Sequence, residues 1–371
     1  MNLFSTLFAG LDALTWGNAL MISIGGVLLY LAIVKEYEPV LLLPIGAGAI
    51  LANLPLSPMV GEDGLLTILY NAGVGNELFP LLVFVGIGAM TDFGPLLEQP
   101  YMLLLGAAGQ FGIFGTLFLA LLLGFNINEA ASIGIIGAID GPTSIYVSQQ
   151  LAPHLLGPIA VVAYSYMSLV PIIQPPIMRA LITKKERRIH MPYSENPVSK
   201  RTRILFPILV TIAVGLLVPM AIPLIGMLML GNLMKESGVV QRLVGASENE
   251  IANVVTLFLG LAIGATMQAD AFLRKETLLI LILGIFAFGL DTAAGLLFAK
   301  FLRWVVRGSL NPLIGAAGIS AFPMAARVVQ KVAQEEDFEN FLLMHAMGAN
   351  TAGQIASVIA GGVVLALFAA H

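Results

Sequence analysis

Ile133-Gly134-Ile135-Ile136-Gly137-Ala138-Ile139-Asp140-Gly141-Pro142-Thr143-Ser144-Ile145 decides the fold class of this chain. A single carboxylate stands inside an apolar run. At membrane depth such a charge costs roughly 3 kcal/mol or more, so it persists where it faces a cavity, meets a partner or binds an ion. Gly141-Pro142 breaks a helix directly after it, because proline lacks an N–H and its ring clashes with the preceding turn. The break frees backbone carbonyls beside the carboxylate, which a bilayer tolerates only where they are buried in protein or line a cavity. Thr143 and Ser144 add hydroxyl oxygens. These are the ingredients of a Na⁺ or H⁺ site. The competing reading is a carboxylate that merely caps the next half-helix through the Thr143 and Ser144 amides, a task that a neutral Asn or Ser would perform at lower cost in lipid.

The composition agrees with a bilayer setting. Of 371 residues, 58% are hydrophobic and 11% charged, and mean hydropathy is +0.92. Soluble domains carry about 25% charged residues, so the chain reads as a polytopic membrane protein. A net charge of −4 gives no basis for nucleic-acid binding. The absence of cysteine excludes disulfides, thiolate metal sites and a Cys nucleophile. His154, His190, His345 and His371 show no metal-ligand spacing. The first 16 residues carry no basic residue and so lack a signal-peptide n-region; they predict a short interfacial helix with Asp12 on its polar side. No phosphate-binding Gly-Lys-Thr/Ser loop, dinucleotide fingerprint or nucleophile elbow occurs, so ATP is not an evident energy source for this chain.

Apolar stretches near the ~20-residue spanning length fall at 17–35, 39–57, 77–95, 101–125, 131–150, 155–182, 204–222, 223–236, 251–270, 276–300, 309–333 and 341–370. Several are short or interrupted by Gly and Pro. The expected fold is an all-α polytopic membrane protein with ten to twelve transmembrane elements. Loop 183–203 holds Lys184, Lys185, Arg187, Arg188, Lys200, Arg201 and Arg203 against Glu186 and Glu195. The positive-inside rule makes it cytoplasmic.

That loop separates two similar halves. Pro44-Ile45-Gly46 leading to Asn53 recurs as Leu224-Ile225-Gly226 leading to Asn232. Gly86-Ile87-Gly88-Ala89-Met90-Thr91-Asp92 is echoed by Ile263-Gly264-Ala265-Thr266-Met267 and Asp270. Ile136-Gly137-Ala138 is echoed by Ile314-Gly315-Ala316. The offsets stay between 176 and 180 residues. The predicted organisation is an N-terminal interfacial and first transmembrane helix (1–38), a first repeat (39–182), the basic loop (183–203) and a second repeat (204–371). With an odd number of crossings in each, the repeats are inverted, and the site lies at the midplane where their broken helices meet.

The second broken element is Asn311-Pro312-Leu313-Ile314-Gly315-Ala316-Ala317-Gly318-Ile319-Ser320-Ala321-Phe322-Pro323-Met324-Ala325-Ala326-Arg327. Asn311 and Ser320 offer neutral oxygens to a hard monovalent cation. Arg327 lies two helical turns beyond Ser320, on the same face. It could receive an anionic group bidentately or snorkel to the interface near Lys331; spacing leaves both open. Tyr164-Ser165-Tyr166-Met167-Ser168-Leu169-Val170-Pro171 puts phenols and hydroxyls in an apolar helix, with Gln174-Pro175-Pro176 beyond. Gly348-Ala349-Asn350-Thr351-Ala352-Gly353-Gln354 places amides in the last apolar segment, where small-residue packing is the bland reading. Asp92, Asp270 and Asp291 are secondary acidic candidates, the first two in capping or loop positions.

At these residues the chain resembles the β subunit of the sodium-pumping biotin-dependent decarboxylases, which act on oxaloacetate, methylmalonyl-CoA or glutaconyl-CoA. The resemblance rests on Asp140-Gly141-Pro142-Thr143-Ser144-Ile145-Tyr146, Leu151-Ala152-Pro153-His154-Leu155-Leu156-Gly157, the Ala163–Pro171 run, Ile173-Gln174-Pro175-Pro176, Asn311-Pro312-Leu313-Ile314-Gly315 and Gly88–Pro95. It covers nearly the whole chain. Ile139 departs from the small residue usual before the aspartate.

The resemblance implies a chemistry. A carboxyltransferase loads a carboxyl group onto biotin of a carrier, and the β subunit decarboxylates that carboxybiotin, exporting Na⁺ and consuming a proton. Asp140 would bind Na⁺ with Asn311 and Asn350 as oxygen ligands. Tyr166 and Ser320 would form a second polar cluster, for Na⁺ or for delivering the proton. Arg327 would meet the carboxylate of carboxybiotin, and Gly315 would permit a close backbone approach. Tyr166, Ser320 and Arg327 are thus the expected catalytic group. The implied partners are the carboxyltransferase, the biotin carrier and a small single-span membrane subunit, in an oligomer at the inner (plasma) membrane, with no cofactor covalently bound to this chain. The alternative is a Na⁺-coupled secondary carboxylate transporter, which needs none of these partners. A purely structural subunit leaves Asp140 and Arg327 unexplained.

Overall fold

The structure, a computed structural model, describes residues 8–192, 198–306 and 310–369. Residues 1–7 of the expected interfacial helix lie outside the described residues; Ala9–Asp12 forms one helical turn carrying Asp12. The described chain is helical throughout, without strands. Among the described residues five helices are long and apolar enough to span a bilayer, and seven if each of two bent pairs counts as one span. Those pairs, Leu65–Val74 with Leu78–Met90 and Pro153–Met167 with Val170–Leu181, bend by 62° and 64°. Pro39–Asn53 and Ile127–Ala138 are shorter apolar helices. The ten to twelve transmembrane elements expected from the sequence exceed these five to seven spans, because several apolar stretches form short or broken helices.

Outward faces are apolar: Leu216 and Leu217 are 78% and 82% exposed, which suits contact with acyl chains. The Lys275–Val306 helix, at 32 residues, is about 48 Å long and overshoots a ~30 Å hydrocarbon core. Its overhang brings Lys300 to 3.4 Å from Glu186 in the basic loop.

The two halves grip each other reciprocally. Pro39–Asn53 packs along Ala252–Thr266, and Leu78–Met90 packs along Ile222–Ser237. Backbones approach so closely that a Cβ on Gly48 would overlap Leu261, one on Gly264 would overlap Ile45, and the same holds for Gly88 against Leu228 and Gly231 against Val85. Asn53 donates to the Met267 carbonyl at 2.7 Å and accepts from Ala269 N–H at 3.2 Å. Its counterpart Asn232 donates to the Thr91 carbonyl at 3.0 Å. Each asparagine thus satisfies the end of the facing helix, whose last carbonyls lack intrahelical donors. A π-helical stretch precedes each of those capped helices, Tyr70–Val74 and Ala246–Ile251.

Directions follow from the contacts. Leu78–Met90 ends beside Lys235, whose ammonium reaches the Met90 carbonyl at 3.0 Å, and beside Asp92, 3.1 Å from Arg203. That end lies on the basic-loop face. Ala252–Thr266 ends at Asn53 and leads into the Lys275–Val306 helix, which only then returns to the basic loop. It ends on the opposite face.

Candidate functional site

Both breaks are 3₁₀ turns. Ile127–Gly134 opens with a capping box between Asn126 and Glu129 and passes into the 3₁₀ turn Ile135–Ala138. Ile139 then adopts φ 52°, ψ 44°. This left-handed conformation costs a β-branched residue about 1–3 kcal/mol, and core packing holds it there, since Ile139 is buried. Asp140 follows in extended conformation as the N-cap of Gly141–Leu151. In the second half, Pro312–Ala317 is again 3₁₀, and an irregular stretch leads to Met324–Glu336. The two breaks touch: Ser320 N–H donates to the Ala138 carbonyl at 3.4 Å.

Asp140 is 3% exposed. Its Oδ1 accepts from Thr143 N–H at 3.2 Å and its Oδ2 from Ser357 Oγ at 2.9 Å, while its backbone carbonyl takes Ser144 Oγ at 2.8 Å. The carboxylate is thus a cap, and it also lines a cavity of about 470 Å³ together with Tyr164, Ser320, Arg327 and Gln354. The remaining walls include Glu38 and Val40 at the start of Pro39–Asn53, Met90 at the end of Leu78–Met90, and Glu248 just before Ala252–Thr266. All these helix ends lie on the basic-loop face, so the cavity opens there and Asp140 forms part of its floor.

The floor is shared with the last helix, Leu343–Phe368. Asn350, Gln354 and Ser357 stand at i, i+4 and i+7, one stripe of a helix. Asn350 Nδ2 donates to the Ile319 carbonyl at 2.6 Å and to the Ala317 carbonyl at 3.3 Å. Gln354 Nε2 donates to the Ser320 carbonyl. Buried Asn350 Oδ1, Gln354 Oε1 and Thr143 Oγ1 have no hydrogen-bond partner among the described residues. Such orphans are rare in native interiors and ask for an explanation, an ion among them. Among the described residues no three His, Cys, Asp or Glu side chains gather as metal ligands. One carboxylate among neutral oxygens suits a hard cation of single charge.

Arg327 is exposed on Met324–Glu336, lines the cavity and makes no ion pair among the described residues. Two nearby arginines are paired: Arg179 holds Glu335 at 2.8 Å, and Arg187 holds Glu336 at 3.0 Å. The His190 hydrogen bond to Asp337, at 2.8 Å, holds that carboxyl below the ordinary aspartate range. Among the residues that line the cavity Arg327 is the cationic one, placed to meet an anion there.

The structure gathers Asp140, Ser320 and Arg327 in one cavity and sets Asn350 on the adjoining stripe. It does not gather the rest of the expected set. Tyr166 donates its hydroxyl to the Leu281 carbonyl and packs against Gly284. Tyr164, two residues earlier and so on roughly the opposite helix face, is the phenol that enters the cavity; its ring lies where a Cβ on Gly141 would stand. Tyr166 and Ser320 form no common cluster, since Ser320 Oγ donates to the Gly353 carbonyl at 3.1 Å. Asn311 donates to the Arg187 and Ile189 carbonyls at 3.0 and 2.8 Å, and its oxygen caps Leu313 N–H at 3.0 Å. It pins the basic loop to the second break instead of joining Asp140. Gly315 abuts the Gly295 carbonyl, so the close approach it permits is between helices. Asp92 accepts from Gly94 N–H at 2.8 Å, a loop role as expected. Asp291 is fully buried and accepts from Gly112 N–H, capping a helix of the other half. Sequence reasoning missed Ser357, Tyr164's place beside Asp140 and the rim carboxylates Glu38 and Glu248; the i, i+4, i+7 spacing from Asn350 was the available signal for Ser357.

The comparisons bear on the whole chain. The profile of the family described as Na⁺-transporting oxaloacetate decarboxylase beta subunit matches residues 17–368. The chain is 54% identical to the methylmalonyl-CoA decarboxylase subunit beta of Propionigenium modestum, over 98% of this chain and 97% of that one. It is 53% identical to the glutaconyl-CoA decarboxylase subunit beta of Acidaminococcus fermentans, over 97% and 95%. It is 49% identical to the probable oxaloacetate decarboxylase beta chain of Pasteurella multocida, over 96% of each. These full-length matches show that the chain belongs to the family of Na⁺-transporting oxaloacetate decarboxylase beta subunits.

Proposed function

We propose that this chain is the membrane subunit that decarboxylates carboxybiotin carried by a partner and couples that reaction to Na⁺ export with uptake of a proton. The observation that carries the reading is one cavity with the Asp140 carboxylate on its floor and the unpaired Arg327 on its wall. Arg327 orients the carboxylate of carboxybiotin by a forked, charge-assisted contact. Cleavage of the N–C bond releases CO₂ and leaves the electron pair on the ureido nitrogen, which takes a proton. Tyr164, Thr256 and Ser320 are the hydroxyl-bearing residues that line that space. Asp140 binds Na⁺ with Ser320 and Asn350 as neutral oxygen ligands. Asn311, Gly315 and Tyr166 act from outside the cavity by fixing the second break and the helices around it.

The reciprocal caps of Asn53 and Asn232 and the contact between the two breaks support a reading as inverted repeats over 39–182 and 204–371, with the site where their breaks cross. The relatives are named as subunits, so the chain works within a multisubunit complex. The partners proposed are a carboxyltransferase, a biotin carrier and a small single-span membrane subunit. Identity is 53–54% to the acyl-CoA enzymes against 48–49% to the oxaloacetate enzymes, which supports an acyl-CoA as the carboxyl donor. The carboxylate-carrier alternative is set aside, because the matching relatives are decarboxylase subunits.

The test is CO₂ release from a carboxylated biotin carrier by the assembled complex, with and without Na⁺. Na⁺-dependent release is expected. Release that is absent, or indifferent to Na⁺, with the chain folded and present, overturns the reading.

A further inference from the structure

We infer that Gln354 supplies a Na⁺ ligand, its side-chain carbonyl oxygen completing the cation site beside Asp140. The inference rests on the reading of the cavity as a Na⁺ site. Gln354 is 3% exposed and lines the cavity. The orientation of its amide is fixed by chemistry: the Ser320 carbonyl accepts from it, so the NH₂ must face that carbonyl. Oε1 is thereby turned away from Ser320, and it has no hydrogen-bond partner among the described residues. A buried acceptor left in that state costs roughly 1–3 kcal/mol, so its persistence calls for a positively charged or hydrogen-bearing occupant.

The neighbours decide in favour of a cation. Ser357, almost one turn along the same helix, donates to Asp140 Oδ2 at 2.9 Å and contacts the Gln354 backbone carbonyl at 2.9 Å. The Gln354 backbone is therefore linked through Ser357 to the carboxylate, and the Gln354 and Asp140 side chains line one cavity. A carboxylate and a lone amide oxygen on one floor repel each other unless a positive charge lies between them. The arrangement also has a mechanical consequence. Gln354 ties to Ser320 of the second break and, through Ser357, to Asp140 of the first, so a cation held there clamps both breaks to the last helix.

The experiment uses the whole decarboxylase complex and reads Na⁺ and Li⁺ activation of CO₂ release from the carboxylated carrier. Gln354→Val should raise half-saturating Na⁺ tenfold or more, equivalent to about 1.4 kcal/mol, with KM for the carrier unchanged. The Li⁺-to-Na⁺ ratio of half-saturating concentrations should change as well, because removing one ligand alters the fit to the two ions unequally. Half-saturating Na⁺ within twofold of the parent, or equal shifts for both ions, overturns the ligand role and leaves Gln354 a packing residue. If Gln354→Val does not assemble, Gln354→Asn decides: it keeps an amide and withdraws the oxygen, and should raise half-saturating Na⁺ at least threefold. A parent complex indifferent to Na⁺ overturns the pump reading itself, which is distinguishable from a parent that responds and a variant that responds identically.

Discussion

Asp140→Asn separates the two roles of this residue. As a helix N-cap, Asn is about as good as Asp, so Thr143 N–H keeps an acceptor. The other position changes from oxygen to NH₂ and faces Ser357 Oγ. That hydroxyl now donates to Asp140 at 2.9 Å and also lies 2.9 Å from the Gln354 carbonyl. It can turn its hydrogen to Gln354 and accept from the new amide, so no buried group is orphaned. The expected stability cost stays within one ordinary hydrogen bond, about 1 kcal/mol. The electrostatic loss is larger. A cation and a carboxylate about 4 Å apart attract by about 4 kcal/mol at an effective dielectric constant near 20, which is roughly a thousandfold in affinity at 1.4 kcal/mol per decade. The assay is Na⁺ activation of decarboxylation by the complex, beside thermal unfolding of the same preparation. The expected variant melts near the parent and no longer responds to Na⁺ at concentrations that saturate the parent. A variant whose half-saturating Na⁺ lies within tenfold of the parent refutes the reasoning, since the charge would then contribute little to holding the ion.

Arg327→Ala should raise KM for the carboxylated carrier at least tenfold while half-saturating Na⁺ moves less than threefold; equal changes in both would deny Arg327 a separate place on the substrate anion. Asn53→Ala strands the Met267 carbonyl, whereas Asn232→Ala leaves the Thr91 carbonyl with Lys235 Nζ at 3.2 Å. The first should destabilise the protein by about 1–3 kcal/mol and the second by less, and thermal unfolding that registers no loss for Asn53→Ala would contradict its role in holding the facing helix. Gly141→Ala drives a methyl into the Tyr164 ring and should cost about 1–3 kcal/mol by overpacking, lowering the melting temperature and displacing the ring. An unchanged melting temperature would show that the ring yields freely and is not a fixed wall of the cavity.

Asp140 was legible in the sequence because a lone carboxylate before Gly-Pro has few physical reasons to stand in lipid. The basic loop, the helical fold and the near-constant spacing between Asn53 and Asn232 were legible for the same kind of reason: each is a local departure from an apolar background. What the sequence did not disclose is which face of a helix meets which neighbour. Tyr164 and Tyr166 look alike as text, yet about 200° of helical rotation sends one to Asp140 and the other to Leu281. Asn311 read as a free oxygen, but the structure occupies that oxygen with Leu313 N–H, because a 3₁₀ turn begins there and its first amides need acceptors. Gly315 read as room for a ligand and proves to be room for Gly295. Ser357 was hidden because a serine in an apolar helix is unremarkable until a carboxylate from another segment is placed against it.

The joint placement of Asp140 and Arg327 suggests how the proposed reaction could drive the ion. The cavity is lined by Glu38, Asp140 and Glu248 against Arg327. In the proposed reaction, entry of the carboxybiotin anion engages Arg327 and adds a negative charge, which favours a cation at Asp140. Once CO₂ has left and the ureido nitrogen is protonated, the anion is gone and Arg327 is again without it. Decarboxylation thus weakens the hold on Na⁺ by one charge, without moving any protein charge. The direction of release is a separate matter, and the packing addresses it. The floor beyond Asp140 is closed by small, tight contacts, with Thr143 lying where a Cβ on Gly361 would stand, and Ala221 against Gly362. Contacts of that kind open by sliding of whole helices, not by side-chain rotation. The cation that neutralises Asp140 removes the charge that would make such sliding costly in an apolar setting. In the proposed cycle, binding permits the movement, and the chemistry then weakens the hold that would draw the ion back.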